Sequence, residues 1–226
     1  MYFIEKNLTR LNNNQATFFL DPKEFREVTS KLKKNEYSIY YPYKDSEKII
    51  IYNKHLPEVL LYEIKCNSIL RHQDILGALF SLNIDKSLFG DILIIDGRYY
   101  IYILKILENY FESNFIKIKN SSISLKQIDL NTLKDYERKY EKIEIIVSSL
   151  RIDTIISTLC HIKRSSIINK IKKKEIILNY DYLKNTSYIV KENDVFSVKK
   201  IGKFKYNGII KNTKSNHLII EIIKYI

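Results

Sequence analysis

The apolar positions of this chain change period several times, and each change predicts an element. Phe18-Phe19-Leu20 is followed by Asp21-Pro22, a pair that suits a helix start, with Asp21 as cap, Pro22 at the first helical position and Glu24 nearby. Phe25, Val28 and Leu32 give that helix one apolar stripe, closed by Lys33-Lys34-Asn35. β-type runs at 37–41 and 48–52, split by the polar turn from Pro42 to Ser46, complete a small α/β unit assigned to residues 1–70.

A second unit is assigned to residues 71–143. His72 to Leu82 places Ile75, Leu76, Leu79 and Phe80 on one helical face. Gly90-Asp91 reads as a turn before a strand over 92–95, and Asp96-Gly97 is a two-residue hairpin signal leading into Arg98 to Tyr102. A helix over 104–113 and a strand over 115–119 follow, and the order predicts a central ferredoxin-like (RRM-like) α/β domain within an α+β protein. Tyr99, Tyr100 and Tyr102 read as a hairpin with one buried face in preference to a base-stacking platform. Residues 125–142 are charged and read as a helical or irregular connection.

The third unit, residues 144–226, pairs two short helices with strands. Ser149 is a candidate cap for a helix carrying Ile152, Ile155, Ile156 and Leu159, and Asp153 suits its positive end. A second helix over 164–173 carries Ile167, Ile168 and Ile171, with Lys170, Lys172, Lys173 and Lys174 crowding its end. Strands are expected over 175–179, 187–190 and 195–199. The alternation of Lys203, Phe204, Lys205 and Tyr206 reads as a strand with one buried face in preference to a stacking surface.

Charge sharpens this picture. The chain of 226 residues has formal charge +12, but residues 1–140 hold 21 Lys or Arg against 18 Asp or Glu, while residues 141–226 hold 17 against 8. Most of the excess therefore sits on the third unit, where it favours a polyanionic partner. The longest apolar runs fall short of a membrane span, the opening residues lack a secretory-signal pattern, and Cys66 and Cys160 form no paired motif, so a cytoplasmic protein without membrane contact is expected.

The ordered segments Arg151-Ile152-Asp153, Ile162 to Ser165, Ile171-Lys172-Lys173, Ile176 to Asn179, Lys191 to Val198 and Gly202-Lys203-Phe204 resemble the RNA-binding domain named for ribosomal small-subunit protein S-four. His72 to Leu79, Gly90 to Leu93 and Ser148 to Asp153 look like the YlmH family, with Phe19 to Phe25 compatible with its front. Three positions depart from the pattern: Lys163 at the usual small polar cap, Lys170 at an apolar position and Lys174 at the glycine after the second helix. Lys174 must therefore take positive φ or end the helix differently.

The resemblance implies binding to rRNA of the large ribosomal subunit and to tRNA, in quality control of stalled nascent chains, by a protein that is monomeric off the ribosome. Carried over by position, it nominates Arg151, Arg164, Ser165, Lys170, Lys172, Lys173, Lys174, Asn179, Lys199 and Lys203 as RNA contacts. No cofactor, metal or catalytic residue is expected. Five glycines form no phosphate loop, and the four histidines and two cysteines lack ligand spacing. The contrasting reading is an RNA-modifying enzyme of the pseudouridine synthase or methyltransferase class targeted by the same module. Arg151-Ile152-Asp153 looks superficially like the synthase motif, but it precedes the first helix of the binding module.

Overall fold

The computed structural model describes residues 2–33 and 36–226, so the expected helix stop at Lys34-Asn35 lies outside the described residues. The chain divides into two compact units, Met1–Glu137 and Arg138–Ile226. The first opens with α1 (Tyr2–Asn12), which the apolar pattern did not announce, and α2 (Pro22–Thr29). The Asp21 Oδ1 accepts from the N–H groups of Lys23 and Glu24, and Glu24 Oε2 accepts from the Asp21 N–H, a reciprocal capping box. Strands β1 (Ser38–Tyr40) and β2 (Ile50–Tyr52), within the two expected β-type runs, pair antiparallel.

The succession β3 (Val59–Lys65), α3 (His72–Ser81), β4 (Phe89–Ile95), β5 (Arg98–Leu104), α4 (Glu108–Asn114) and, after the two-residue hairpin β6 (Lys117–Ile118) and β7 (Ser121–Ser122), β8 (Ser124–Ile128) builds a four-stranded antiparallel sheet. Its strand order is β4-β5-β3-β8. The central strand β3 lies before the boundary expected at residue 70, yet Val59, Leu61, Tyr62 and Ile64 are all buried because both faces of the sheet are covered.

Two further expectations are corrected. Gly90-Asp91 is no turn: it lies inside β4, at a register irregularity between Phe89 and Ile92. The strand expected over 115–119 forms only the small hairpin, and the sheet is completed by β8, nearly all of it in the segment read as a helical or irregular connection. Its sequence Ser-Leu-Lys-Gln-Ile is weakly apolar because an edge strand there needs to bury little beyond Leu125 and Ile128. The Asp96-Gly97 hairpin stands as expected, with positive φ at both residues (49° and 79°).

One face of this sheet packs Ile64, Ile101 and Ile103 against Ile75 and Leu79 of α3 and Phe111 of α4. The other packs Leu61, Tyr100 and Tyr102 against Phe18, Phe19 and Tyr43. Tyr99, Tyr100 and Tyr102 are consequently buried, and none is open to a base.

The second unit starts with β9 (Tyr140–Val147), whose first three residues fall in the segment expected to be a helical or irregular connection. Helices α5 (Ile152–Cys160) and α6 (Arg164–Lys172) follow, then β10 (Ile176–Leu178), β11 (Asp181–Tyr182), β12 (Val195–Val198), β13 (Gly202–Asn212) and β14 (Leu218–Tyr225). The sheet order is β11-β10-β12-β13-β14-β9, so the last strand returns to pair with the first over Leu218↔Val147 to Tyr225↔Tyr140. Residues 187–190 form no strand, only a bridge between Ile189 and Arg151. Ile155 and Ile156 of α5 and Ile167 and Ile171 of α6 pack on Phe196, Phe204, Tyr206 and Ile222, so Phe204 and Tyr206 are core side chains.

Gly90 shows how tightly the first unit is closed. A Cβ there would meet the Phe19 ring at 2.9 Å and Tyr102 Cβ at 3.0 Å, whereas one at Gly77 on α3 would meet nothing within 4 Å. Gly90→Ala should therefore cost about 1–3 kcal/mol of unfolding free energy by urea denaturation, while Gly77→Ala should be neutral or stabilising by up to about 1 kcal/mol.

Candidate nucleic-acid interface

In the second unit the candidate residues sort into two clusters, one at each end of α6. At its start, the side chain of Asp153 is buried in the first turn of α5. Arg151, the residue before that helix, donates to it through Nε (3.1 Å to Oδ1) and Nη2 (2.9 Å to Oδ2). Arg164, the first residue of α6, adds Nη2 at 2.7 Å to the same Oδ2. The two arginine side chains remain 36% and 54% exposed while that of Asp153 is 4% exposed, so the cations face solvent on a buried anchor. Burial pushes the Asp153 carboxyl up, but the two arginines outweigh it and hold it at about 2.

Ser165 is exposed beside Arg164. The cap of α6 is Lys163, whose side chain makes no capping hydrogen bond. The cap of α5 is Arg151, not Ser149, whose hydroxyl reaches only toward Thr154 Oγ1 at 3.4 Å. The reason is the bridge between Arg151 and Ile189, which extends the chain up to residue 151 before the helix can begin.

At the other end of α6, Lys172, Lys173 and Lys174 are exposed, and Lys174 takes the left-handed conformation (φ 56°) at the position where a glycine is usual. Lys170 Nζ bonds Glu175 Oε2 at 2.9 Å, its stem half-buried in keeping with the apolar residue usual there. That bond, with further pull from Lys199 and Lys173, lowers the Glu175 carboxyl. The Lys199 N–H donates to the Glu175 carbonyl, which brings Lys199 into the same patch. Arginine and lysine clusters are separated by the nine residues of α6, about 13 Å along its axis.

Two candidates lie elsewhere. Asn179 has left-handed φ (49°), donates to Asp194 Oδ1 at 2.7 Å and accepts from the Val195 N–H at 3.0 Å, locking the turn after β10 to the start of β12. Lys203 pairs with Ser197 across β12 and β13 and sits on the sheet face opposite the two helices, against the rings of Tyr180 and Tyr225. The organising role of Asp153 was missed from sequence, where it served only the helix dipole. Its two arginines eleven residues or fewer away were the available signal.

Residues 57–132, which run from just before β3 to just beyond β8, match the family described as "Putative RNA-binding domain in YlmH". The chain is similar to the Ribosome-associated protein quality control protein P2 of Bacillus subtilis (strain 168), 24% identical over 215 residues, 89% of this chain and 84% of the relative. The Cell division protein ylmH from Streptococcus pneumoniae shares the fold with TM-score 0.51 and 20% identity, over 59% of this chain and 93% of that one. The fold is of the mixed α+β class, and residues 57–132 within it match a putative RNA-binding domain. Within that class, the chain is similar to YlmH proteins, with the family match confined to residues 57–132. Among the described residues no helix is long and apolar enough to cross a membrane.

The Asp153 anchor has a pH signature. Unfolded, the carboxyl titrates near its ordinary 3.8; folded, at about 2. Its contribution is therefore present above about pH 4 and is lost as pH falls through 2. With solvent screening the exposed arginines, Asp153→Asn should cost about 1–2 kcal/mol at pH 7, and the gap from wild type should close between pH 4 and pH 2 in urea titrations.

Proposed function

We propose that this chain binds structured RNA through the α5–α6 face of its second unit. On this reading it acts on the large ribosomal subunit and tRNA, in ribosome-associated quality control of stalled nascent chains, without catalysing a reaction. The observation that carries the proposal is the pair of solvent-facing arginines anchored on one buried carboxylate, with exposed lysines at the far end of the same helix. Arginine presents planar paired donors to a phosphate, and one already oriented by Asp153 loses less freedom on binding. Lys172, Lys173, Lys174 and Lys199 add mobile point charges, whose effect falls as salt rises. Lys170, paired with Glu175, and Asn179, engaged within the turn, act more by shaping the face than by direct contact.

The fold supports the same reading. We take the second unit as an S-four-type domain, and the βαββαβ succession with order β4-β5-β3-β8 as ferredoxin-like. In this assignment an amino-terminal α/β element covers the ferredoxin-like sheet. The name of the Bacillus subtilis relative supports ribosome-associated quality control as the setting. Cytoplasmic location and a monomer off the ribosome belong to the same proposal.

The test is co-sedimentation of the full chain with separated ribosomal subunits near physiological salt. Wild type should pellet with the large subunit, and Arg151→Glu/Arg164→Glu should weaken that binding at least about tenfold. Equal pelleting with both subunits, or an unaffected double variant, would overturn the proposal.

A further inference from the structure

The sheet face opposite α5 and α6 carries a line of side chains across all six strands of the second unit. Register sets Tyr182 beside Ile177, Ile177 beside Ser197 and Ser197 beside Lys203. The Lys203 ammonium then lies 5.0 Å from the Tyr225 ring centroid, and Tyr225 pairs with Tyr140, their rings edge to face at 5.3 Å. These positions alternate with Leu178, Phe196 and Phe204, which pack in the core, so the line points away from the helices.

An outward sheet face is ordinarily polar. This one leaves Tyr182 at 52%, Tyr140 at 44% and Ile177 at 37% exposure. Its cations are placed on the rings: Lys203 lies between Tyr180 and Tyr225, 5.0 Å from each centroid, and Lys174 is 5.6 Å from that of Tyr182. Lys205 stands one register row away, paired with Val195 and Ile223. Flat rings interleaved with ammonium groups match the alternating bases and phosphates of an unpaired strand, because every base has a face to stack while each phosphate needs a cation. Five inter-strand steps of about 4.8 Å make the line about 24 Å long, enough for the shortest single-stranded sites of about four nucleotides.

We infer that this line is a second RNA-binding surface, which takes a short single-stranded segment by stacking bases on Tyr182, Tyr225 and Tyr140 while Lys203 and Lys174 meet its phosphates. The choice of RNA as the nucleic acid rests on the function proposed above; the surface lies on the opposite side of the sheet from the α5–α6 face and shares with it only Lys174, at the end of α6. One protein would thereby hold a folded element on its helices and an unpaired stretch on the back of its sheet.

The chain has no tryptophan, so Tyr182→Trp in the full protein introduces a single indole at the exposed end of the line. Titration with a twelve-residue oligo(U) should quench its emission saturably. In that background Tyr140→Ala/Tyr225→Ala should weaken oligo(U) binding about tenfold or more, and Phe at both positions should restore it, since the ring and not the hydroxyl stacks. Arg151→Glu/Arg164→Glu should leave oligo(U) affinity within about twofold while losing structured RNA. No quenching, an alanine variant that binds like its parent, or a phenylalanine variant that fails to recover would overturn the inference. Loss of structured RNA binding by the alanine variant alone would do the same. An arginine variant that keeps its structured RNA instead counts against the α5–α6 proposal and leaves the oligo(U) result to be judged by itself.

Discussion

The second unit depends on one buried carboxylate. Asp153 sits in the first turn of α5 and receives Arg151 from the residue before that helix and Arg164 from the start of the next, so a single anion fixes where two helices begin relative to each other. An isolated charge in that position would be costly, and three donor contacts offset the desolvation. On the proposed function, fold stability and RNA binding share this arrangement. The contacts that stabilise the helix pair are the ones that hold two guanidiniums at the surface, where a phosphate can use their remaining donors.

The first unit solves the opposite problem. A four-stranded antiparallel sheet with two helices on one face leaves the other face to be covered or used. Here it is covered: Phe18, Phe19 and Tyr43 close over Tyr100 and Tyr102, and Gly90 is the place where the Phe19 ring meets the strand backbone. Any RNA contact made by residues 57–132 must therefore come from edges, helices or loops and not from aromatic rings on the sheet. The exposed rings of the first unit, among them Tyr41, Phe80 and Tyr110, stand off that sheet, whereas in the second unit Tyr182 and Tyr140 lie on the outward sheet face itself.

Much of this was legible in the sequence. The capping box at Asp21, the Asp96-Gly97 hairpin and the apolar faces of α3, α5 and α6 are local patterns, and local patterns are written in consecutive residues. The basic ends of α6 were legible too, because a resemblance aligned them with an RNA-binding module. What stayed hidden was long-range pairing. β9 lies 70 or more residues from β14, and the polar edge strand β8 has no strong periodicity of its own. The row from Tyr182 to Tyr140 exists only through register across six strands, so no window of sequence contains it. The Asp153 anchor was partly visible, since acid and arginine stand two residues apart, but its second arginine is brought in by the turn between the helices.

The central claim is that folded RNA is met by the helix pair of the second unit. Ultraviolet cross-linking of the full chain to large ribosomal subunits, followed by peptide mapping, tests it most directly. Cross-links concentrated between Arg151 and Lys174 are the predicted result, and cross-links confined to peptides of Met1–Glu137 would contradict it.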